Sequence, residues 1–439
     1  MQAIFKKQQS LDTAYQNLSP FVNPHTGIVE WVRPLDTPYA KDAFSIYIAK
    51  HPLSNTINSY RDLLSHSATS SSAIAETPDM AKKLALCEAF ERWSCVNQGN
   101  EVAIRASIRS LGKQAISPAE LHCISERQYE NRLTINEQEQ TGGGYVPERL
   151  PDDEEVLWCP VFDLVNKIWK YALKSSCFFG YNDNGHHYAL ADSRGVAAGP
   201  DREFCVWQAL LELIETDAGA IWNANRLLCP EVDIASFEDD YLLTLLNVHN
   251  DLGRDVWAMD ISMDIAGVTV MVVISCDRST GRIIKGFGTH PVATKALKKA
   301  IMECCQMLPN VMRVEKERGN TPKAEHTLKP APAIYVDSSQ HFRPSPTKKT
   351  RTAHDYPSEP GVRTIYDLVC ALQQQGITPY MQNVSRPEIN FCVMRVFAPG
   401  MRPWFPRTRS GRLYDVPVRL NLQTERLREK DLFHIPIEK

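Results

Sequence analysis

The sequence lacks the features that mark several common classes of protein. A membrane-spanning helix requires about 18 consecutive apolar residues, and no stretch of this sequence approaches that length. The first residues, MQAIFKKQQSLDTAYQNL, lack the apolar stretch of a secretory signal. Lys and Arg (49) nearly balance Asp and Glu (52), so nothing in the charge favours nucleic acid or a membrane as the main partner. We expect a cytoplasmic, globular protein of one large or two ordinary domains.

Short signature motifs are also missing. The twelve cysteines include no C-x-x-C pair, and only Cys304 and Cys305 are adjacent. This scatter favours free thiols packed in a reducing compartment over disulfides or a zinc site. The chain has no G-x-x-x-x-G-K-[ST] loop, and KGFGTH is no dinucleotide fingerprint. The common phosphate-binding loops are therefore excluded.

Hydrophobic patterning predicts a mixture of strands and helices. Strands are expected in NPHTGIVEWV, DAFSIYIAK, VLWCPVFDLV, VWAMDISM, VTVMVVISCD, EINFCVMRVFAPG and, as the last strand, RLYDVPVRL. Helices are expected after the N-cap Thr77, from about Asp201, and in THPVATKALKKAIMECCQML. SHSATSSSAIAETPDM, which leads into the first of these helices, and residues 133–155 are expected to be loops. Residues 310–355 and the final dozen are expected to be mobile.

The first two of these helices share an unusual polar pattern. Glu88 and Glu91 fall three residues apart on one face, with Arg92 beside them, in the otherwise apolar LALCEAFERWSC. The second helix, QALLELIETDA, places Glu212 and Glu215 on one face in the same way, and Gln208 lies one turn before Glu212. Both helices thus carry a Glu-x-x-Glu stripe in apolar surroundings.

Buried carboxylates need cations, because an unpaired one is disfavoured by several kcal/mol and two neighbours repel each other. One interpretation is that each pair lies on a solvated edge or is neutralised by Arg92, Lys82 or Lys83. The alternative is that oxygen ligands from two helices hold Mg²⁺, which keeps coordination positions for phosphate oxygens. Helix N-termini behind SSSAIA and GVAAG could offer N–H groups to the phosphate.

Four stretches of the sequence are informative together: AETPDMAKKLALCEAFERWS, ADSRGVAAGPDREFCVWQALLELIETDA, GFGTHPVATKALKKAIMECCQ, and VMRVFAPGMRPW followed by GRLYDVPVRL. In this order they resemble the YcaO family, and the similarity covers most of the chain. NPHTGIVE and RLYDVPVRL are similar to the stand-alone cyclodehydratases of streptolysin-type azole peptide pathways. The resemblance implies a mixed α+β (α/β) fold of YcaO type, with mixed sheets flanked by helices and ATP bound between the two Glu-bearing helices.

The resemblance also implies a site and a division of the chain. Glu88, Glu91, Glu212 and Glu215 map onto the acids that bind Mg²⁺ and act in catalysis, with Arg92 as a further catalytic residue. The nucleotide-binding set implied by the resemblance is Ser72, Arg92, Gln208, Lys299 and Glu303. Residues 1–65 would be a β-rich N-terminal segment, 66–421 the catalytic core, and 422–439 a tail that reaches toward the active site.

The implied reaction is an ATP-dependent cyclodehydration. A Cys, Ser or Thr side chain of a ribosomal precursor peptide attacks the preceding backbone carbonyl, ATP phosphorylates the former amide oxygen, and elimination of phosphate leaves a thiazoline or oxazoline. The implied partners are an E1-like leader-binding protein and, in some pathways, a flavin-dependent azoline dehydrogenase. A homodimer within a larger complex is expected.

The chain departs from the family pattern at several positions near the expected nucleotide. Ala73, Ile74 and Ala75 stand where Gly-Lys-Gly is frequent, and Thr216 stands where Arg is usual. Arg194 replaces a frequent Asn, and Pro200 and Phe204 replace polar residues. Two alternatives therefore stay open: a scaffold subunit that does not turn over ATP, and a YcaO enzyme that forms backbone thioamides. The ending FHIPIEK matches the family's proline-rich C-terminus only in part.

Overall fold

The computed structural model describes residues 11–40, 43–51, 70–138, 144–319 and 342–433. The strands are β1 Trp31–Leu35, β2 Ser45–Lys50, β3 Ser70–Ala75, β4 Ile104–Ala106, β5 Val156–Asp163, β6 Trp169–Leu173, β7 Val196–Gly199, β8 Glu231–Val232, β9 Arg254–Asp260, β10 Thr269–Asp277, β11 Ile283–His290, β12 Tyr380–Asn383 and β13 Cys392–Phe397. The α-helices are α1 Leu11–Leu18, α2 Pro78–Ser94, α3 Ile108–Leu111, α4 Pro118–Leu121, α5 Glu126–Glu130, α6 Arg132–Gln138, α7 Lys174–Cys177, α8 Arg202–Asn225, α9 Asp240–Asp251, α10 Ala293–Gly319, α11 Ile365–Gln374 and α12 Arg412–Arg419.

The strands form three sheets, and every pairing between named strands is antiparallel. One sheet has the order β4-β5-β12-β13-β7, with β6 paired to β5. The second has the order β11-β10-β9-β8, and the third is β1-β2-β3. Helices flank these sheets, so the predicted mixture of sheets and helices is confirmed.

Helix α8 lies between the two larger sheets. Its Leu210 and Ile214 pack in one core with Met394 of β13 and Val272 of β10. Because side chains alternate along a strand, β13 presents its neighbouring residues to the opposite face, where Phe397 packs with α2. The six-stranded sheet therefore has α8 on one face and α2 on the other.

Helix α10 covers the far face of the four-stranded sheet, where Ala296 and Leu297 pack with Met271. The approach is close: a Cβ on Gly286 would lie 2.1 Å from the Ala300 carbonyl oxygen, and one on Gly288 would lie 2.0 Å from the Ala296 carbonyl oxygen. Only glycine at these positions of β11 lets the helix backbone pack directly on the strand.

The predicted helix starts agree with the structure. Thr77 accepts a hydrogen bond from the Met80 N–H at 3.3 Å, as an N-cap residue does. Asp201 caps α8 in the same way, with the Phe204 N–H at 2.8 Å from its carboxylate. A capping residue bonds to backbone groups only two or three positions away, so helix starts of this kind can be predicted from the sequence alone.

Three local predictions were wrong, in whole or in part. Ser70–Ala75 forms β3 rather than a loop, because pairing with β2 sets Ile74 opposite Ile46. The stretch RLYDVPVRL is helix α12 rather than a strand, since burial of Leu413, Val416 and Pro417 follows the helical i, i+3, i+4 spacing. The predicted loop over 133–155 begins inside α6. Helix α10 extends through Gly319, and the mobility of residues 310–355 stays a prediction.

Other expectations concern features outside the helices and sheets. All twelve cysteines are free thiols, ten of them buried. In the described parts of the chain, no helix is both long enough and apolar enough to cross a membrane. The final residues, 434–439, lie outside the described residues, and so does the predicted approach of the tail to the site. The division into segments 1–65, 66–421 and 422–439 stays a prediction.

Candidate functional site

Helix α2 carries the first half of the site. The Arg92 Nη2 lies 2.5 Å from Glu88 Oε1, one helical turn away, and its Nη1 lies 3.6 Å from Glu91 Oε1. The other Glu91 oxygen accepts a hydrogen bond of 3.1 Å from the Ala198 N–H on β7. Glu88 is about one third exposed, whereas Glu91 is buried. Arg92 therefore neutralises part of the acidic charge.

Helix α8 adds Glu212 to this group, and we call Glu88, Glu91, Arg92 and Glu212 the acid–arginine cluster. Burial, repulsion by Glu88 and a smaller effect of Glu212 raise the pKa of the Glu91 carboxyl well above its usual range, although Arg92 and the Ala198 N–H oppose this shift. Burial lowers the pKa of Arg92, but the three acids together raise it by more. Glu88, Glu91 and Glu212 thus all act on the Arg92 guanidinium, in a poorly solvated place.

Glu215 faces a different partner. Its side chain is 1% exposed, and its Oε2 lies 2.9 Å from the Lys299 Nζ on α10. The two predicted acids on α8 therefore face different partners. Glu212 acts electrostatically on Glu91 and Arg92 of α2, whereas Glu215 is bonded to Lys299 of α10.

The other predicted nucleotide-binding residues lie on the α10 side or on α8. The carboxylate of Glu303 accepts the Phe287 N–H of β11. Ser72 on β3 accepts hydrogen bonds from Gln306 Nε2 at 2.9 Å through both its carbonyl and its hydroxyl oxygen. Gln208 is half-buried one turn before Glu212. The structure thus brings Glu88, Glu91, Arg92 and Glu212 together, but it places Ser72 and Glu303 in separate contacts.

Lys82 and Lys83, which could have neutralised the acids of α2, have other partners. Lys83 forms ion pairs with Asp12 and Asp79, and Lys82 lies over the ring of Tyr15. Arg92 contacts Glu88 and Glu91, and Lys299 contacts Glu215.

Sequence reasoning missed His51, which follows β2. Its ring is buried, and its Nε2 lies 2.9 Å from the Ser71 hydroxyl. Burial and the charge of Arg92 lower its pKa to about 4, although Glu88 acts in the opposite direction. His51 is therefore a neutral neighbour of the acid–arginine cluster at pH 7. An isolated histidine at a strand end carries no local signal that could have identified it.

The departures from the family pattern have clear places in the fold. Ile74 is buried in β3, and Thr216 is buried in α8, where its hydroxyl donates to the Glu212 carbonyl oxygen at 2.8 Å. Arg194 forms an ion pair with Asp192 through two of its nitrogens, at 3.0 and 2.7 Å. Phe204 remains 39% exposed on the first turn of α8.

The donor set fits Mg²⁺ held together with phosphate groups. Among the described residues, no three His, Cys, Asp or Glu side chains form a ready ligand cluster. Mg²⁺ is usually bound by one or two carboxylates plus waters and phosphate oxygens, so it does not require a closed cage of side chains. The raised pKa of Glu91 shows a carboxylate whose charge a cation would stabilise.

Comparisons with solved structures agree with this fold. The chain is 31% identical to "Heterocyclase in complex with substrate and Cofactor", with a TM-score of 0.87, covering 99% of this chain and 58% of that one. It is 32% identical to the heterocyclase TruD, with a TM-score of 0.71, covering 82% of this chain and 50% of that one. The YcaO protein of Methanopyrus kandleri bound with AMPPCP and Mg²⁺ shares the fold at 16% identity, with a TM-score of 0.64, covering 89% of this chain and 91% of that one.

A curated relative adds a further match. An uncharacterized protein of Methanothermobacter thermautotrophicus is 24% identical over 253 residues, which are 57% of this chain and 59% of that protein. The chain therefore spans only about half to three fifths of this relative and of the two heterocyclases.

The match to a protein family covers the site itself. The family described as YcaO cyclodehydratase, ATP- and Mg²⁺-binding, matches residues 73–402, well over half of the chain. This range contains every predicted site residue except Ser72. ATP and Mg²⁺, the cofactors predicted from the sequence, are those of the family, and the resemblance noted in the sequence is confirmed. The chain belongs to the YcaO family of ATP-dependent, Mg²⁺-binding cyclodehydratases.

Proposed function

We propose that the protein converts Cys, Ser or Thr residues of a ribosomal precursor peptide into thiazolines or oxazolines. The observation that carries this proposal is the acid–arginine cluster between α2 and α8, in which three carboxylates act on the Arg92 guanidinium in buried surroundings. A site of this charge is suited to bind Mg²⁺, and Mg²⁺ with ATP supplies a phosphoryl group to the amide oxygen of the cyclised residue.

The residues have distinct proposed roles. Glu88, Glu91 and Glu212 would hold Mg²⁺ from two helices, and Glu215, which is bonded to Lys299, would be the fourth metal-binding acid. Arg92 keeps the acids oriented before the metal binds. Gln208, Ser72 and Glu303 are the further nucleotide contacts that the family resemblance implies. Phosphorylation of the amide oxygen turns a poor leaving group into a good one, so the protein contributes mainly positioning and electrostatic stabilisation.

Two solved structures bear on the substrate and the partners. One is a heterocyclase in complex with substrate, and the other is the E. coli microcin synthetase complex McbBCD. The second match is only 13% identical, so it supports the fold rather than the assembly. We propose that this chain works with an E1-like leader-binding partner and as a homodimer within the complex.

Co-expression with a peptide whose core is rich in Cys, Ser and Thr tests the reaction. Intact-mass analysis should show the loss of one water for each cyclised residue. Glu88→Gln and Glu212→Gln should each abolish this loss and the accompanying phosphate release. Glu359→Gln, on a 79% exposed side chain paired only at the surface with Arg363, is the matched control and should behave as wild type. Unimpaired turnover in both site variants would show that the metal-binding assignment is wrong.

Two other outcomes identify the alternatives. Exchange of oxygen for sulfur in the peptide, in place of water loss, would indicate thioamide formation. Calorimetry that detects no Mg²⁺–ATP binding even with the partner present would favour the scaffold, for which the buried Ile74 and Thr216 are the main arguments.

A further inference from the structure

A polar pocket separate from the acid–arginine cluster lies where β13 meets the turn before β7. Its polar lining consists of His122, Ser176, Asp192, Arg194 and Arg395, and the remaining lining residues are apolar. We call these five residues the arginine pocket. Four of them lie in loops or a short helix and the fifth in β13, at sites far apart in the chain, so the pocket exists only in the folded protein.

Arg395 is the unusual member of the pocket. It is 1% exposed, in the middle of β13, and its guanidinium lies between the rings of Phe179 and Phe397 at 5.6 and 5.8 Å. Its Nη1 donates to the Asp192 carbonyl oxygen at 2.7 Å. Its Nε and Nη2, both buried, have no hydrogen-bond partner within the described part of the chain. The Cys95 thiol interacts with Arg395, but sulfur is a weak acceptor, so the guanidinium still lacks a strong acceptor for these two nitrogens.

The charges around Arg395 leave the pocket positive. Arg194 is the second guanidinium, and the carboxylate of Asp192, whose pKa is held low mainly by Arg194 against the effect of burial, offsets one of the two charges. Burial and the surrounding arginines lower the pKa of His122 to about 4, although Asp192 opposes this, so its ring is neutral and bonds to the Ser176 hydroxyl at 2.9 Å. The lining residues therefore carry one net positive charge, and Glu212 acts on Arg194 from outside the pocket.

We propose that the arginine pocket binds a small oxyanion, held by the free Nε and Nη2 of Arg395 and by Arg194. A buried guanidinium with two unused donors is disfavoured unless an acceptor completes it, and oxyanions match its fork geometry. Asp192 would repel the anion from one side, which favours a ligand that approaches from the Arg395 side.

The location of the arginine pocket, next to the acid–arginine cluster, favours inorganic phosphate as its ligand. Glu212 acts electrostatically on Arg194, so the pocket lies beside the acid–arginine cluster. Azoline formation releases phosphate, and this choice of ligand rests on the proposed function. The proposal that the pocket binds an oxyanion does not rest on that function, because it follows from the unpaired donors of Arg395 and the charge of the lining residues.

Phosphate titration of the full chain in EDTA, without nucleotide or peptide, tests the proposal. Calorimetry at constant ionic strength, with chloride as the reference anion, should show one saturable site. Arg395→Met and Arg194→Gln should each weaken phosphate binding at least tenfold. Arg363→Gln, a surface arginine paired with Glu359, is the matched control and should leave it unchanged. Arsenate in crystals should give an anomalous peak beside Arg395.

The outcomes separate this pocket from the proposed nucleotide site. Glu88→Gln should leave phosphate binding intact while it abolishes Mg²⁺–ATP binding. Phosphate binding that is lost in Glu88→Gln but retained in Arg395→Met would place the anion in the nucleotide site and overturn the proposal. Absence of saturable binding in the wild type would overturn it as well. If Arg395→Met does not fold, Arg194→Gln and the arsenate peak still decide the question.

Discussion

Replacement of Glu91 by glutamine should stabilise the metal-free protein while it destroys its response to Mg²⁺–ATP. The side chain keeps its size, and a glutamine carbonyl oxygen can still accept the Ala198 N–H. The change removes one of three carboxylates that share Arg92, which relieves the burial penalty and the repulsion by Glu88 that raise the Glu91 pKa.

The magnitude follows from this balance. Each unit by which the pKa is raised corresponds to about 1.4 kcal/mol of disfavoured charge in the folded state. The lost attraction to Arg92, whose Nη1 lies 3.6 Å away, takes back part of this gain. We expect a net stabilisation of about 1–2 kcal/mol at pH 7.5, which is within the range seen when buried charges are replaced.

The pH dependence has a definite sign. The folded protein binds the Glu91 proton more tightly than the unfolded chain does, so this carboxyl contributes most to stability below the unfolded pKa of about 4.3. The contribution is lost as the pH rises through the raised folded pKa. The advantage of Glu91→Gln over the wild type should therefore be larger at pH 7.5 than at pH 5.

Urea unfolding followed by tryptophan fluorescence in EDTA measures these differences. Mg²⁺–ATP at a hundred times its dissociation constant should stabilise the wild type by about 2.7 kcal/mol and the variant hardly at all. Glu359→Gln is the surface control and should stay within about 0.5 kcal/mol of wild type. A Glu91→Gln protein that is less stable in EDTA, or equally stabilised by Mg²⁺–ATP, would refute the reasoning.

Three further substitutions test how the site is supported. Gly286→Ala would press a methyl group onto the α10 backbone and should destabilise the protein by about 1–3 kcal/mol in urea unfolding. Asp217→Asn breaks the buried ion pair with Arg412 that ties α8 to α12, and should destabilise by about 3–5 kcal/mol. Lys299→Met leaves the buried Glu215 without this partner; because Lys299 is half exposed, we expect only about 1–2 kcal/mol, and Glu215→Gln should restore most of it.

Each of these predictions has a clear contrary result. A Gly286→Ala protein as stable as wild type would mean that α10 can move away from β11 freely. If Asp217→Asn is as stable as the wild type, then the ion pair with Arg412 contributes no more to the free energy of unfolding than an exposed pair does. If Glu215→Gln fails to rescue Lys299→Met, then the lysine stabilises the fold through packing rather than through the carboxylate.

The helices that carry the site could be predicted because their signals are local. Thr77 and Asp201 mark helix starts through their own backbone contacts, and Glu88, Glu91, Glu212 and Glu215 stand out against apolar neighbours. The strand β3 and the helix α12 could not be predicted in this way. A run of small residues has no periodicity, and RLYDVPVRL satisfies both the two-residue and the helical spacing until packing selects one.

The sequence by itself determined the family, the cofactors, the identity of the acids and the helices on which they stand. Only the tertiary structure decided which acid contacts which base: Arg92 pairs with Glu88 and Glu91, whereas Lys299, 84 residues away from Glu215, bonds to that acid. The tertiary structure also placed Arg395 and Arg194 in one pocket, which no pattern in the sequence predicts. The physical reason is that helix periodicity and capping act over a few residues, while charge pairing and burial depend on distances that only the packed sheets and helices establish.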